Sequence, residues 1–281
     1  MSVVGCGSPL PLDVKPVDEV SAHARLLDSA LAHGLEAYRR IRDINVSYEG
    51  EWRPLIGRIQ PELIDPGFRG GSQERLMPAR GRVGQRHTGP MGHKQVAWHR
   101  ESARSELGDV QVWLNDQASR DEAVLQTSAL VAEGYCVFLL GPLWLSEQRA
   151  AMSMRSNGTE RVDGRACDAI DIWFAPGLGR VAADRLTIWI DRNDSLMRRV
   201  RFTLEGFRNT QGAVAEVELY DHQRRFGIVW PTRFYERLKH PLPLPVHDWR
   251  LTGLDVDRGY DVDAIAGPAF LASAAAPARG W

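Results

Sequence analysis

The sequence predicts an α+β chain: a mainly antiparallel, half-open β-barrel of about ten to eleven strands, covered by a long N-terminal helix and a second helix or lid. Three observations carry this. Beyond Ala150, short runs alternate apolar and polar residues and are separated by turn pairs. One segment near the start repeats its apolar residues at helical spacing, and the run from Tyr135 to Leu145 is almost wholly apolar. The 281 residues, 43% of them hydrophobic and 25% charged, suit one large folded unit with a sizeable core.

The first helix is expected to open near Pro16 and Asp18, with Asp18 as its N-cap. Val20, Ala24, Leu27, Leu31, Leu35, Tyr38 and Ile41 then draw one stripe down a long helix, opposite Arg25, Asp28, Glu36, Arg39 and Arg40. At Ile44, Val46 and Tyr48 the period changes to two, the mark of a strand with one buried face. Residues 53–92 hold Pro54, Pro61, Pro66, Pro78 and Pro90 and read as a long irregular insertion. Strands resume at Gln95–Arg100 and at Val110, Val112 and Leu114. A helix is expected over Arg120–Glu133, and the Tyr135–Leu145 run is broken by Gly141-Pro142 into a rim or mobile lid.

A meander follows: Met152-Met154, Ile170-Ile172-Phe174, Leu186-Ile188-Ile190, Val200-Phe202-Leu204, Ala213 to Leu219, Val229 to Tyr235, and Trp249 to Val256. Asn157-Gly158, Asp163-Gly164, Pro176-Gly177 and Asn193-Asp194 supply turns. The expected organisation is a tether over 1–16, a single domain over 17–265 and a flexible tail over 266–281.

Net charge is −1, so no global field points to nucleic acid or an anionic membrane surface. No continuous apolar run approaches the ~18 residues of a membrane span. Val3-Val4-Gly5-Cys6 has the pattern of a bacterial lipobox, which makes Cys6 the candidate lipidation site and the tether a candidate lipid anchor, although only five residues precede it. Cys136 and Cys167 then form an even pair, compatible with a disulfide in an oxidising compartment or with two separate buried thiols.

Chemistry-bearing motifs are sparse. His87, His93 and His99 share parity, but their spacing spans ~20 Å of extended chain and no carboxylate cluster completes a metal site. Asp168 with Asp171 and Glu216 with Glu218 read as decoration of a solvated strand face rather than as acid–base pairs. There is no nucleophile elbow and no phosphate-binding loop, so neither catalysis nor a cofactor is expected.

The block Asp184 to Asp191, followed by Ser195 to Arg199, resembles a hairpin of the LolA/LolB/LppX-like periplasmic proteins. Val162 to Ile170 is similar to their preceding strand, and Tyr220-Asp221 with Gly227 to Thr232 to a strand pair further on. Such proteins have an unclosed β-barrel capped by helices around a cavity for acyl chains. The resemblance therefore implies a periplasmic or outer-membrane-associated carrier of a lipid or acylated ligand; an envelope transport protein is a candidate partner.

Parity places Val46, Tyr48, Val112, Ile172, Leu186, Ile188, Phe202, Leu204 and Val217 on the inner face, and the apolar run adds Phe138, Leu140, Leu143 and Trp144. These are the candidate ligand contacts. Two alternatives stand beside the carrier: an interaction module that fills its own cavity and docks on an envelope partner, and an enzyme acting on a lipid or glycan.

Overall fold

The computed structural model describes residues 15, 17–59, 61–100, 107–205, 212–265 and 270. The lipobox with Cys6, and nearly all of the segments read as tether and tail, lie outside the described residues.

Helix α1 (Val20–His33) ends at Gly34, whose φ of +103° turns the chain into the short α2 (Leu35–Tyr38). Only glycine fits there, because an added Cβ would lie 2.2 Å from the Gly227 carbonyl oxygen. The stripe expected on one long helix is therefore split. Along α1 the buried residues are Ala22, Leu26, Ser29, Ala30 and His33, while Val20 and Leu31 are exposed. Polar anchors choose this face. Arg25 donates to Asp168 (2.8 Å), Ser195 Oγ (2.9 Å) and the Asp191 carbonyl (2.8 Å). His33 accepts from the Met197 N–H (3.1 Å) and donates to the Val229 carbonyl (2.9 Å). Asp18 does not cap α1; it accepts from the Met154 N–H at 2.9 Å and pins the helix start to a strand.

Strand β1 (Ile44–Trp52) leads to α3 (Pro54–Ile59) and α4 (Pro61–Ile64), then to β2 (Gly71–Met77), β3 (Arg82–Gly89) and β4 (Gly92–His99). The stretch expected to be irregular is thus largely ordered. Pro54 and Pro61 open its helices, and Pro78 opens a 3₁₀ turn. After β5 (Asp109–Leu114) and β6 (Gln117–Ala118) comes α5 (Glu122–Leu140), capped by Asp121, which accepts from the Ala123 and Val124 N–H groups. Helix α6 (Pro142–Glu147) follows at once, with Pro142 in its first turn.

The Tyr135–Leu145 run is therefore core helix rather than a mobile lid. By length and composition α5 could cross a membrane, yet 72% of the qualifying window is buried inside the protein. Its apolarity serves the core.

The remaining strands are β7 (Met152–Val162), β8 (Arg165–Phe174), β9 (Asp184–Asp191), β10 (Met197–Thr203), β11 (Val214–Tyr220), β12 (Gln223–Arg225), β13 (Ile228–Trp230), β14 (Arg233–His240) and β15 (Leu244–Val256). Thirteen form one antiparallel sheet in the order β6-β5-β4-β3-β2-β1-β15-β14-β11-β10-β9-β8-β7, and β12 with β13 make a separate ribbon. The count exceeds the expected ten to eleven because β2 and β3 lie in the stretch read as irregular. The sheet is open: among the described residues β6 and β7 are its two edges.

Antiparallel register puts directly opposed residues on one face. Ile44, Val46 and Tyr48 of β1 face Leu76, Glu74 and Ser72 of β2, which face Val83, Gln85 and His87 of β3. These in turn oppose Trp98, Val96 and Lys94 of β4. On the other side of β1, Trp52 opposes His247 of β15, which opposes Glu236 of β14. Helix α5 fills this concave side, burying residues on every face along its second half.

The convex side holds a second surprise. Glu216 is fully buried and Glu218 and Asp171 nearly so, under a layer of arginines rather than in solvent. Arg201 reaches Glu216 (2.7 Å), Arg199 and Arg237 reach Glu218 (2.8 and 2.6 Å), and Arg155 reaches Asp171 (3.2 Å). Asp168 is held by Arg25. Arg199 and Arg201 also lie 5.2 and 4.8 Å from the ring centre of Trp189, which is why a tryptophan sits on this face. Cys136 in α5 and Cys167 in β8 are free, buried thiols in separate apolar clusters, so the pair is not bridged.

Candidate ligand-binding site

Two hollows flank α5. Residues 133, 136 and 140 line one and residues 131, 134, 135 and 138 the other, opposite faces at 3.6 residues per turn. The first, about 260 Å³, lies between α2, α5, α6 and the β2–β3 hairpin. Leu140 and Trp144 line it, but so do Arg39, Arg82, Glu133 and Glu147. Arg100 and Glu133 form a buried ion pair there, with Arg100 also donating to the Pro176 carbonyl (2.8 Å). That pairing puts satisfied charge in the wall of the hollow.

The second hollow, about 90 Å³, is almost wholly apolar. Its roof is Ile56, Ile59, Leu63 and Ile64 of α3 and α4; its walls are Phe138 of α5, Phe202, Leu204, Leu238 and Val246. The roof is thin. Only Ile56 and Ile64 are fully buried with Val246 in a small satellite cluster, whereas Leu55 and Ile59 remain about half exposed. Short helices with so few apolar contacts belong to the low-stability end of a fold.

Below the roof, between α4 and β2, stands Arg69, only 8% exposed. It donates to the Leu63 carbonyl (2.7 Å) and to Tyr135 Oη (3.0 Å), and its guanidinium lies 4.6 Å from the centre of the Trp52 ring. Around it are the polar members of the concave face. Gln85 donates to Glu74 Oε1 at 2.7 Å, and burial pushes the Glu74 carboxyl up to about 8, so it carries its proton at neutral pH. Burial holds His87 well below its usual range and His247 down at about 2. Glu236 is raised by burial to about 7, with Arg69 pulling the other way. Lys94 is lowered by burial but keeps Asp65 at 2.7 Å. Trp52, His247, Trp249 and Phe234 stack in series, with ring centres 3.7, 4.5 and 5.0 Å apart.

Of the residues expected from sequence, Phe138, Phe202 and Leu204 line the apolar hollow, Leu140 and Trp144 the larger one, and Tyr48 the polar floor. Val46, Val112, Leu143, Ile172, Leu186, Ile188 and Val217 are packed in the main core and line none of these spaces. Arg69, Glu74, Gln85 and Glu236 are functional candidates that the sequence reading missed. The same parity argument that selected Tyr48 would have found the two carboxylates, had β2 and β14 been given their register.

No protein-family model matches the chain, and no curated protein matches it in sequence. Solved structures are similar in fold. A DUF1329 family protein from Desulfovibrio piger aligns over 90% of this chain and 98% of its own, with a TM-score of 0.54 and 10% identity. A LolA superfamily protein, NE2245 from Nitrosomonas europaea, aligns over 89% and 98% at 0.46 and 11% identity. The Mycobacterium tuberculosis lipoprotein LppX aligns over 85% and 98% at 0.28 and 13% identity. The fold class is thus the one shared with the DUF1329 structure. The LolA and LppX matches agree with the resemblance read from the sequence at the level of fold and carry no further argument.

Proposed function

We propose that the protein is a bacterial envelope binder of a hydrophobic ligand, a lipid or an acyl chain, taken up beneath α3 and α4 rather than through the middle of the barrel. The observation that carries this reading is the apolar hollow under a thin two-helix roof in which Leu55 and Ile59 are half exposed. Occupied small-molecule sites are usually ~300–1,000 Å³, so the closed hollow of about 90 Å³ takes an alkyl chain only when the roof moves off α5 and β14. Each methylene buried on entry contributes about 0.8 kcal/mol. A periplasmic location and anchorage through Cys6 belong to the same reading.

Lipid extraction and native mass spectrometry of the protein purified from a bacterial envelope test it: a copurifying lipid is expected, and Leu204→Trp, which fills the hollow, lowers the lipid content severalfold with little loss of stability. Protein free of lipid, with no affinity for an apolar fluorescent probe, removes the binder. One observation favours the second reading, an interaction module, in that event: α5 occupies the concave space from within the chain.

A further inference from the structure

The floor beneath the apolar hollow is built from polar atoms whose partners are missing. Tyr48 Oη, Glu74 Oε2, His87 Nδ1, His247 Nδ1 and Trp249 Nε1 are all buried, with no hydrogen-bond partner among the described residues. Their side chains are at least nine-tenths buried. Five orphans in one wall far exceed what a packed interior tolerates without a reason. In their midst Arg69 touches only neutral acceptors, and no carboxylate among the described side chains lies within ion-pair distance of it. A guanidinium withdrawn from water without a counter-anion is strongly unfavourable, and its planar fork matches a carboxylate or phosphate. Of the acids nearby, Asp65 is held by Lys94 and Glu74 is bound by Gln85, while Glu236 shares the wall of the apolar hollow with Arg69 and feels its charge without forming an ion pair with it.

The two spaces adjoin. A small hollow of about 20 Å³, lined by Tyr48, His87, His247 and Trp249, shares Trp52, Arg69 and Tyr135 with the apolar one. Its volume is about that needed for one water. Polar floor and apolar hollow thus lie side by side, with Arg69 on the border of both.

We propose that this floor recognises a head group, and that the ligand is an amphiphile whose acidic head sits on Arg69 and Tyr48 while its alkyl tail lies under α3 and α4. This rests on the binder reading above and deepens it. Titration of the full-length protein with hexadecanoate, hexadecyl phosphate and hexadecanol, followed through its intrinsic tryptophan fluorescence, tests it. At least one of the acids is expected to bind about tenfold more tightly than the alcohol, the difference between a charge-assisted and a neutral hydrogen bond; which acid wins tells carboxylate from phosphate. Arg69→Met is expected to bring acids and alcohol to equal affinity. Tyr48→Phe weakens the acids a fewfold and the alcohol hardly at all, and it decides the matter if Arg69→Met fails to fold. Equal binding of acid and alcohol by the native protein, or a preference that survives these substitutions, overturns the head-group site while sparing the binder. Failure of all three amphiphiles to bind overturns both.

Discussion

At the scale of single residues, buried titratable groups set how stability responds to pH. Glu74 moves from an ordinary 4.5 to about 8 on folding, so the native state keeps a proton that the unfolded chain releases. Its favourable contribution is whole below about pH 4.5 and is lost as pH rises toward 8. Glu74→Gln keeps the shape and the bond to Gln85 but removes the ionisation. The variant is expected to match the native protein at pH 5 and to exceed it by roughly 2 kcal/mol or more at pH 9 in urea denaturation. A constant difference across that range would refute the assignment. His33 works in the other direction. Its two backbone bonds require the neutral ring with the proton on Nδ1, and burial lowers it to about 4 from 6.5. Its contribution is therefore lost as pH falls from about 6.5 toward 4, and His33→Gln should flatten the acid limb of the stability profile.

At the scale of elements, junctions matter more than lengths. The turn at Gly34 lets α1 and α2 meet the sheet at different angles, and Gly34→Ala would combine an unfavourable φ with a clash against the Gly227 carbonyl. We expect a loss of about 2–4 kcal/mol in chemical denaturation, several times the cost of a glycine placed mid-helix. Helices α3 and α4 contrast with α5. Hydrogen exchange should show the described amides of residues 55–64 opening well below the global unfolding free energy, while α5 exchanges only with global unfolding. Protection of both to the same degree would argue against a movable roof. Phe138→Ala, at the centre of the aromatic packing with Phe202 and Trp249, should cost about 3–5 kcal/mol.

At the scale of the whole molecule, an open sheet of thirteen strands wraps one apolar helix and leaves a thin roof at one side. Its two described thiols lie in separate clusters, so peptide mapping after mild oxidation is expected to find no peptide joining Cys136 to Cys167. That joined peptide, in good yield, would contradict the arrangement of α5 against β8.

How much of this could be read from the chain follows from what each residue reports. Strands β8 to β11 carry Ile, Leu and Val on one face and charged residues on the other, so period-two alternation alone determined their existence, their order along the chain and which side faces the core. The helix ahead of β1 was equally legible, apart from its break at Gly34. Strands β2 and β3 were hidden because their inward residues are Ser72, Glu74, Gln85 and His87; a polar residue turned inward erases the alternation that marks a strand. The inner residues chosen by parity were mostly core, since parity tells a face and says nothing of what lies against it. It took the packing in space to show that α5 fills the barrel, that the acids of the outer face lie under arginines, and that Arg69 has no carboxylate partner among the described side chains below α3 and α4. The physical reason is that pattern along a chain records burial, whereas a binding site depends on which buried groups find partners, and partners are brought together only by the fold.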